Sequence, residues 1–203
     1  MRTRDPFGEV LEDLRHRIRQ GEIAPGSPLI VMDLAAELRV SATPVREALA
    51  YLAGEGLVEG RLGSVRGYLA TRPGPSDLID LLHLHQQQVL AALTAADRGV
   101  APAAPMRPGP ELSEDALRVA RTEHLFAGLV ARGGGATLRR AHRLVAERRQ
   151  LVRRREGRVL PGLEAELAAL EQAGAGPAAP RLIRAYHRRR RLAAVRLAAL
   201  LYG

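Results

Sequence analysis

The sequence predicts a mainly α-helical protein with one small β-hairpin in its N-terminal third. Apolar residues recur every three or four positions over most of the 203-residue chain, a spacing typical of amphipathic helices. Two short β-type runs flank residues 63–64, and no strand pattern follows residue 70. The segment Pro73-Gly74-Pro75 interrupts the periodicity and predicts a linker. We therefore expect an N-terminal domain over residues 1–72 and an all-helical domain over residues 76–203.

The first two helices of the N-terminal domain are expected on either side of a turn. Residues 7–19 predict an amphipathic helix. Its buried face is Val10, Leu11, Leu14 and Ile18. The run from Gly21 to Leu29 is rich in glycine and proline and predicts a turn. A second, short helix carries Leu34, Ala35 and Leu38 at helical spacing.

A third helix is predicted after the polar residues 41–43. Pro44 suits the first turn of a helix, where a missing N–H costs nothing, and Gly54 with Gly56 ends the helix. Its apolar face is Val45, Leu49 and Leu52. Two short helices joined by a tight turn form a helix-turn-helix, whose second helix is built to enter a DNA major groove. A generic helical hairpin inside a core is the alternative interpretation.

A hairpin is predicted directly after the third helix. Leu57 to Leu62 predicts one strand and Tyr68 to Ala70 its antiparallel partner. The Gly63-Ser64 pair supplies the permissive backbone of the turn. A hairpin in this place is a wing. Arg66 lies near its tip beside Gly67, where the backbone can come close to a phosphate or a minor-groove edge.

The start of the third helix carries the candidate DNA contacts. Ser41 and Thr43 offer hydroxyl and N–H groups that can hold a phosphate at the positive end of the helix dipole. Arg46, placed on the first turn, faces away from the apolar stripe and can reach a guanine edge or a phosphate. Glu47 is interpreted as a carboxylate that stabilises the helix dipole. The predicted DNA-binding residues are Ser41, Ala42, Thr43, Pro44, Arg46, Arg66 and Gly67.

The block from Pro44 to Leu49 (PVREAL) and the run from Glu55 to Val58 (EGLV) are specific to one protein family. With the preceding helix and turn, they resemble the N-terminal winged helix of the GntR family of bacterial transcription regulators over about residues 6–72. Ala42 departs from the family pattern, which usually has Arg between the Ser and Thr of the turn. Residues 30–32 (IVM) depart as well, because the family often has basic or polar residues there. We therefore expect the affinity or the operator sequence to differ from those of typical members.

Five helices are predicted after the linker. Ser76 is expected to cap a helix that begins at Asp77 and continues to about residue 97. A loop or disordered segment from Gly99 to Pro110 follows, and Ser113 starts a helix that runs to about Arg132. The remaining helices are expected at residues 136–156, 161–173 and 180–201. The first of these three is strongly basic, and the last ends in an apolar tail.

This layout resembles the FCD ligand-binding domain of the FadR-like branch of the GntR family, in a shortened and divergent form. The segment from Ser76 to Leu82 looks like the start of that domain. The segment from Glu123 to Phe126, followed by the glycine run, resembles an internal motif of the same domain. The resemblance implies an effector-binding and dimerisation domain.

The family pattern would also supply one Asp and three His to a divalent metal. Here the Asp position aligns with Thr122 or Glu123, and the first His position aligns with Phe126 or Ala127. Residues 161–166 contain no His where the middle ligand is expected. His187 stands in the place of the last ligand. The resemblance therefore implies a degraded metal site, and we expect neither a metal nor another cofactor.

Such a bundle can still bind a small organic acid against arginine side chains. The candidates, chosen by proximity, are Arg121, Arg140, Arg143, His142 and His187. The alternative for His187 is a solvated or capped residue beside the arginines at 188–191, which are interpreted as a solvated helix face.

The net charge of +9 does not identify the DNA-binding domain. Residues 1–72 hold ten arginines and ten acidic residues, so the whole excess lies in residues 73–203. All 31 basic residues are arginine. The DNA prediction therefore depends on fold and placement rather than on bulk charge.

Several function classes lack support. The chain has no Cys, no nucleophile elbow and no phosphate loop, and its six His have no catalytic spacing, so we expect no enzyme. No apolar run approaches the roughly 18 residues of a membrane span and no signal-peptide pattern is present, which favours a cytoplasmic protein. We expect a homodimer that binds double-stranded operator DNA. The alternative is a nonspecific nucleic-acid or protein-interaction module that uses the basic C-terminal helices.

Overall fold

The computed structural model describes residues 5–61, 67–95 and 113–202. The chain divides into a first unit that ends at Pro73 and a second unit over Gly74–Leu201. The fold class is confirmed, because helices dominate and the described strands form one small antiparallel sheet in the first unit. The predicted wing tip with Gly63, Ser64 and Arg66 lies outside the described residues, as does the loop predicted from Gly99 to Pro110.

The helices of the first unit are α1 (Pro6–Gln20), α2 (Val31–Leu38) and α3 (Ala42–Gly54). Asp5 starts α1, where its carboxylate accepts a hydrogen bond from the Gly8 N–H at 3.1 Å. Gly21 ends α1 in the left-handed conformation, with φ 80°. The predicted apolar faces of α1 and α3 meet in one core. Its fully buried side chains include Leu14, Val45, Ala48, Leu49 and Leu52.

The sheet of the first unit has three strands in the order β1-β3-β2. Its strands are β1 (Pro28–Leu29), β2 (Val58–Arg61) and β3 (Gly67–Ala70). The two predicted wing strands are found within one residue of their expected starts, and Val58 pairs with Ala70. Strand β1 was missed, because two residues among glycines and prolines have no periodicity. Residues 28–29 form a strand because they pair with β3, with Leu29 opposite Tyr68.

The described residues of the second unit form helices joined by turns, without a strand. Its helices are α4 (Pro75–Ala95), α5 (Glu114–Gly133), α6 (Ala136–Arg155), α7 (Leu163–Ala173), α8 (Ala179–Leu192) and α9 (Ala194–Ala199). One apolar cluster contains Leu78, Val152, Leu163 and Leu197. A second cluster contains Val89, Phe126, Leu170, Ile183 and Tyr186.

Two predicted features of the helical unit were wrong. Ser76 does not cap α4, because the helix begins one residue earlier at Pro75. Asp77 has the capping role instead, and its carboxylate accepts a hydrogen bond from the Gly74 N–H at 2.8 Å. The single helix expected over residues 180–201 is divided at Ala193, where φ is −96° and ψ is 3°. Ser113 caps α5 as predicted, accepting a hydrogen bond from the Ala116 N–H at 3.3 Å.

Candidate nucleic-acid interface and buried polar cluster

Helices α2 and α3 are joined by the three residues Arg39, Val40 and Ser41. Arg39 has left-handed backbone, with φ 56° and ψ 43°. This conformation lets the Val40 N–H donate a hydrogen bond to the Ala35 carbonyl at 3.0 Å. The bond closes the end of α2 and directs the chain into α3. The two helices and this short connection form the predicted helix-turn-helix.

The N-terminus of α3 is open to solvent. Ser41 is the residue before the helix, and its exposed side chain makes no capping hydrogen bond. Thr43 is exposed, whereas Ala42 and Pro44 are half-buried. Pro44 is the third helical residue, within the first turn as predicted, where its missing N–H leaves no intrahelical bond unmade. The first N–H groups of α3 therefore have no side-chain cap from Ser41.

Arg46 was predicted on the first turn of α3 and Glu47 near the start of the helix, but both lie further along it. Helix α3 begins at Ala42, so these two residues are on its second turn. Arg46 is exposed and forms no ion pair with another described residue, while the neighbouring Val45 is fully buried. The dipole interpretation of Glu47 is wrong, because that effect falls off within the first turn.

In the described part of the wing, Gly67 pairs with Arg61 in the last described pair of the β2–β3 ladder. A Cβ atom built on Gly67 would meet no atom of the described residues within 4 Å. Nothing in the described part of this unit therefore requires glycine at that position. Arg66, the other predicted wing contact, lies outside the described residues.

Residues 7–64 match the sequence profile of the gntR family of bacterial regulatory proteins. The N-terminal domain is a GntR helix-turn-helix domain. An uncharacterised HTH-type transcriptional regulator in an unstable DNA locus of Streptomyces ambofaciens is 36% identical over 97 residues, which is 47% of this chain. The HTH-type transcriptional regulator McbR of Escherichia coli is 29% identical over 94 residues, or 46% of this chain. The chain spans 39% and 42% of the lengths of these two relatives.

Solved structures share the fold beyond the GntR domain. A structure described as a GntR transcriptional regulator from Rhodococcus sp. RHA1 superposes with a TM-score of 0.71 at 21% identity, covering 93% of this chain and 97% of that one. McbR superposes with a TM-score of 0.62 at 18% identity, covering 99% of this chain and 100% of its own. At these identities the likeness concerns the fold, a GntR domain followed by a helical domain. In the described ranges, no helix is both long and apolar enough to cross a membrane.

Three histidines form a row inside the helical domain: His85 of α4, His142 of α6 and His187 of α8, each at most 3% exposed. His187 Nδ1 lies 2.7 Å from the Ile183 carbonyl oxygen, which can only accept, so Nδ1 carries the proton. When His187 is neutral, its Nε2 accepts, and His85 Nδ1, 2.7 Å away, donates to it. His142 Nε2, 3.1 Å from His85 Nε2, donates in turn. This order leaves His187 and His85 neutral, each with one donating and one accepting nitrogen, and requires of His142 only a proton on Nε2.

The electrostatics of the interior agree with neutral histidines. Burial, followed by the charges of Arg153 and Arg149, lowers the pKa of His142 from 6.5 to about 4. Burial and then the Arg149 charge hold the pKa of His85 and of His187 well below the ordinary value. The interpretation of His187 as a solvated or capped residue is therefore wrong.

These residues do not fit the metal site that the family resemblance implies. At two of the aligned positions, Thr122 donates its hydroxyl to the Arg118 carbonyl at 2.8 Å, and Phe126 packs edge-on against His85. His85 stands between the other two histidines with one ring nitrogen toward each, so the three rings do not converge on one point. Among the residues with described positions, no group of three or more His, Cys, Asp or Glu could hold a metal.

The arginines predicted to face an effector lie on the outside of the helical domain. Arg121 pairs with Glu171 at 2.6 Å and Glu164 at 3.0 Å, and Arg140 and Arg143 are exposed. The arginines that reach the interior are Arg149, Arg153 and Arg190, each at most 3% exposed. Arg190 also shows that residues 188–191 are not a uniformly solvated face.

Helical periodicity in α6 predicts that Arg149 faces the interior, whereas choosing arginines that are close together in the sequence does not identify it. Along α6, the positions His142, Val145, Arg149 and Val152 follow one another at steps of three and four residues, and Glu156, directly after the helix, continues the series. Val145 and Val152 are the apolar members of this stripe, and they indicate that it faces the core. Arg149 belongs to it, whereas Arg140 and Arg143 do not.

Proposed function

We propose that this chain is a sequence-specific DNA-binding transcription regulator that acts as a homodimer and responds to an effector held by its helical domain. The observation that carries the proposal is the open N-terminus of α3 in a GntR domain. Ser41, Thr43 and Arg46 are exposed there, and Ser41 spends no side-chain hydrogen bond on the helix. Such a helix end can hold a phosphate through its N–H groups and present Arg46 to a guanine edge.

We infer a dimer from the small size of helix α3, the helix that would contact the bases. One helix of 13 residues contacts only a few base pairs, and proteins of this kind gain affinity by reading two half-sites related by a two-fold axis. We assign dimerisation and effector binding to the helical domain. Effector binding would favour one arrangement of the two DNA-binding domains over another and so change operator affinity.

The experiment that tests the function is selection of bound sequences from a random DNA pool, followed by titration on the selected site. The expected motif is a pseudo-palindrome with half-sites about one helical turn apart. Arg46→Ala should weaken binding to that site by about 1–3 kcal/mol, roughly 5–150-fold. Arg181→Ala removes the same charge from an exposed position on α8 and should leave the affinity nearly unchanged. Equal losses in both variants, or no enriched motif, would contradict a specific regulator.

The alternative of a nonspecific module with the basic helix α6 predicts the opposite pattern. It requires affinity that survives Arg46→Ala and collapses when exposed arginines of the helical domain are removed. The burial of Arg149 and Arg153 weakens this alternative, because it removes two charges from the surface of α6.

A further inference from the structure

We infer that Glu47 determines a base preference in the operator, by accepting a hydrogen bond from the exocyclic amino group of a cytosine in the major groove. This inference rests on the proposed function, because it requires α3 to enter that groove. Glu47 is not among the DNA contacts predicted from the sequence. The evidence is the position of Glu47 on α3 and the surroundings of its carboxylate.

Glu47 lies near the midline of the exposed face of α3. The residues of this face follow one another at steps of four, three and four positions, and all are exposed: Thr43, Glu47, Ala50 and Gly54. The opposite stripe is fully buried and contains Val45, Ala48, Leu49 and Leu52. At 3.6 residues per turn, Glu47 lies about 30° from the direction opposite the buried stripe, whereas Arg46 lies about 70° from it. A groove that receives this face therefore meets Glu47 more directly than Arg46.

The carboxylate of Glu47 has no counter-charge in the described part of the domain. Its side chain is exposed and forms no ion pair with another described residue. The one basic residue of α3 is Arg46, and adjacent residues do not face each other on a helix surface. On the second turn, Glu47 is also beyond the reach of the helix dipole. These observations favour a role for the carboxylate outside the protein.

A carboxylate in the major groove requires a hydrogen-bond donor on the DNA. The phosphates repel it, and an ionised Glu47 can accept a hydrogen bond but not donate one. Two amino groups donate in this groove, N4 of cytosine and N6 of adenine. Adenine presents its N7 acceptor beside the amino group, which repels a carboxylate, whereas cytosine presents its donor without a neighbouring acceptor. The chemistry of the groove therefore selects cytosine.

The neighbours of Glu47 on this face allow the helix to approach the bases closely. Thr43 and Ala50 lie about one turn to either side, and Gly54 follows Ala50. All three are uncharged and smaller than Glu47, so none of them holds the helix away from the floor of the groove. The glutamate is the longest side chain on the midline of the face and is the first to reach a base edge.

The test is selection of bound sequences from a random DNA pool by the full chain and by two variants of Glu47, followed by titration of the selected sites. The unchanged protein should enrich a cytosine at one position of each half-site and prefer it to the other bases by about 5–150-fold. Glu47→Gln should move the preference at that position to adenine, because a glutamine amide pairs with N6 and N7 of adenine. Glu47→Ala should show no preference there.

Two controls separate base recognition from a general effect of charge or stability. Glu47→Ala should bind DNA that lacks the motif more tightly than the unchanged protein does, since repulsion by the phosphates is lost, while its preference for the motif falls. Glu114→Gln removes the same charge from an exposed position of α5 and should keep both the motif and the affinity. The melting temperature of the GntR domain should be nearly the same in all these proteins.

An identical motif for the unchanged protein and both Glu47 variants would overturn the inference, as would a half-site without a specified cytosine. A preference that Arg46→Ala abolishes and Glu47→Ala leaves intact would assign base recognition to Arg46 alone. If Glu47→Ala fails to fold, the motif selected by Glu47→Gln decides. Failure of the proposed function gives a different result, because the unchanged protein would then enrich no motif, and both proposals would be wrong.

Discussion

The turn of the helix-turn-helix contains a backbone conformation that its residue does not favour. Among the described residues, Arg39 is the one non-glycine residue with positive φ. A side chain with a Cβ atom is disfavoured in this region by about 1 kcal/mol or more. The fold imposes it, because the left-handed residue allows α2 to end and α3 to begin within three residues.

Replacement of Arg39 by glycine should therefore stabilise the GntR domain. We expect Arg39→Gly to raise its free energy of unfolding by about 0.5–1 kcal/mol, less than the full relief because glycine gains freedom in the unfolded chain. The measurement is the melting temperature of that domain's transition. Arg39→Ala keeps a Cβ atom in the left-handed region, so it should not be stabilised, and it serves as the control. A lower stability of the glycine variant would show that the Arg39 side chain makes a stabilising contact.

The second residue-scale prediction concerns Gly67. Because a Cβ atom at this position meets no atom of residues 5–61 or 67–202 with described positions within 4 Å, Gly67→Ala should leave the stability of the domain unchanged or raise it by up to about 1 kcal/mol. If a DNA backbone approaches the wing here, the same methyl group should weaken operator binding several-fold. Gly60→Ala, on β2 and equally open, is the matched control. Equal affinities of the two variants would argue against contact at Gly67.

At the scale of helices, the histidine row joins α4, α6 and α8 through neutral rings. In the native state the pKa of His142 is about 4, against 6.5 for the free side chain. Between these pH values the unfolded chain binds more protons than the folded one, so stability falls as the pH falls. The stabilisation is complete above pH 6.5 and is lost as the pH falls toward 4.

We expect the helical domain to lose about 3 kcal/mol from His142 alone over this pH range, with further losses from His85 and His187. The measurement is its melting temperature as a function of pH. His142→Gln can still donate a hydrogen bond to His85 and should reduce the pH dependence. His83→Gln alters an exposed histidine of α4 and should leave the pH dependence of the melting temperature unchanged. A flat profile between pH 6.5 and 4 would contradict neutral buried histidines.

Element boundaries show where periodicity is informative. The apolar faces of α1 and α3 and the cap of α5 were predictable, because each depends on residues a few positions apart. The break at Ala193 was not, because no glycine or proline marks it. Burial does not mark it either: Ala193, Ala194 and Leu197 are buried while Leu192 and Val195 are exposed, which is the spacing that one continuous helix would also give.

For the whole molecule, separate cores predict separate unfolding. The GntR domain has its own apolar cluster, and both clusters of the helical domain lie on residues after Gly74. Calorimetry of the full chain should therefore show two transitions. Leu49→Ala should lower the free energy of unfolding of the GntR domain by about 2–5 kcal/mol. Phe126→Ala should lower that of the helical domain by about 3–5 kcal/mol. A single transition that both substitutions shift together would mean that the domains unfold as one unit.

By itself, the sequence determined the winged helix-turn-helix, the helical character of the second domain and the position of Arg46 on the outer face of α3. These features depend on the period of apolar residues and on local turn chemistry, which act over a few positions. Only the tertiary structure decided that β1 is a strand, that His85, His142 and His187 form a row, and that Arg149 is buried. Each of these results from groups 39 or more positions apart in the chain or on different helices. Burial by distant elements, rather than the residue's own character, decides which of the 31 arginines lies in water and which lies in the core.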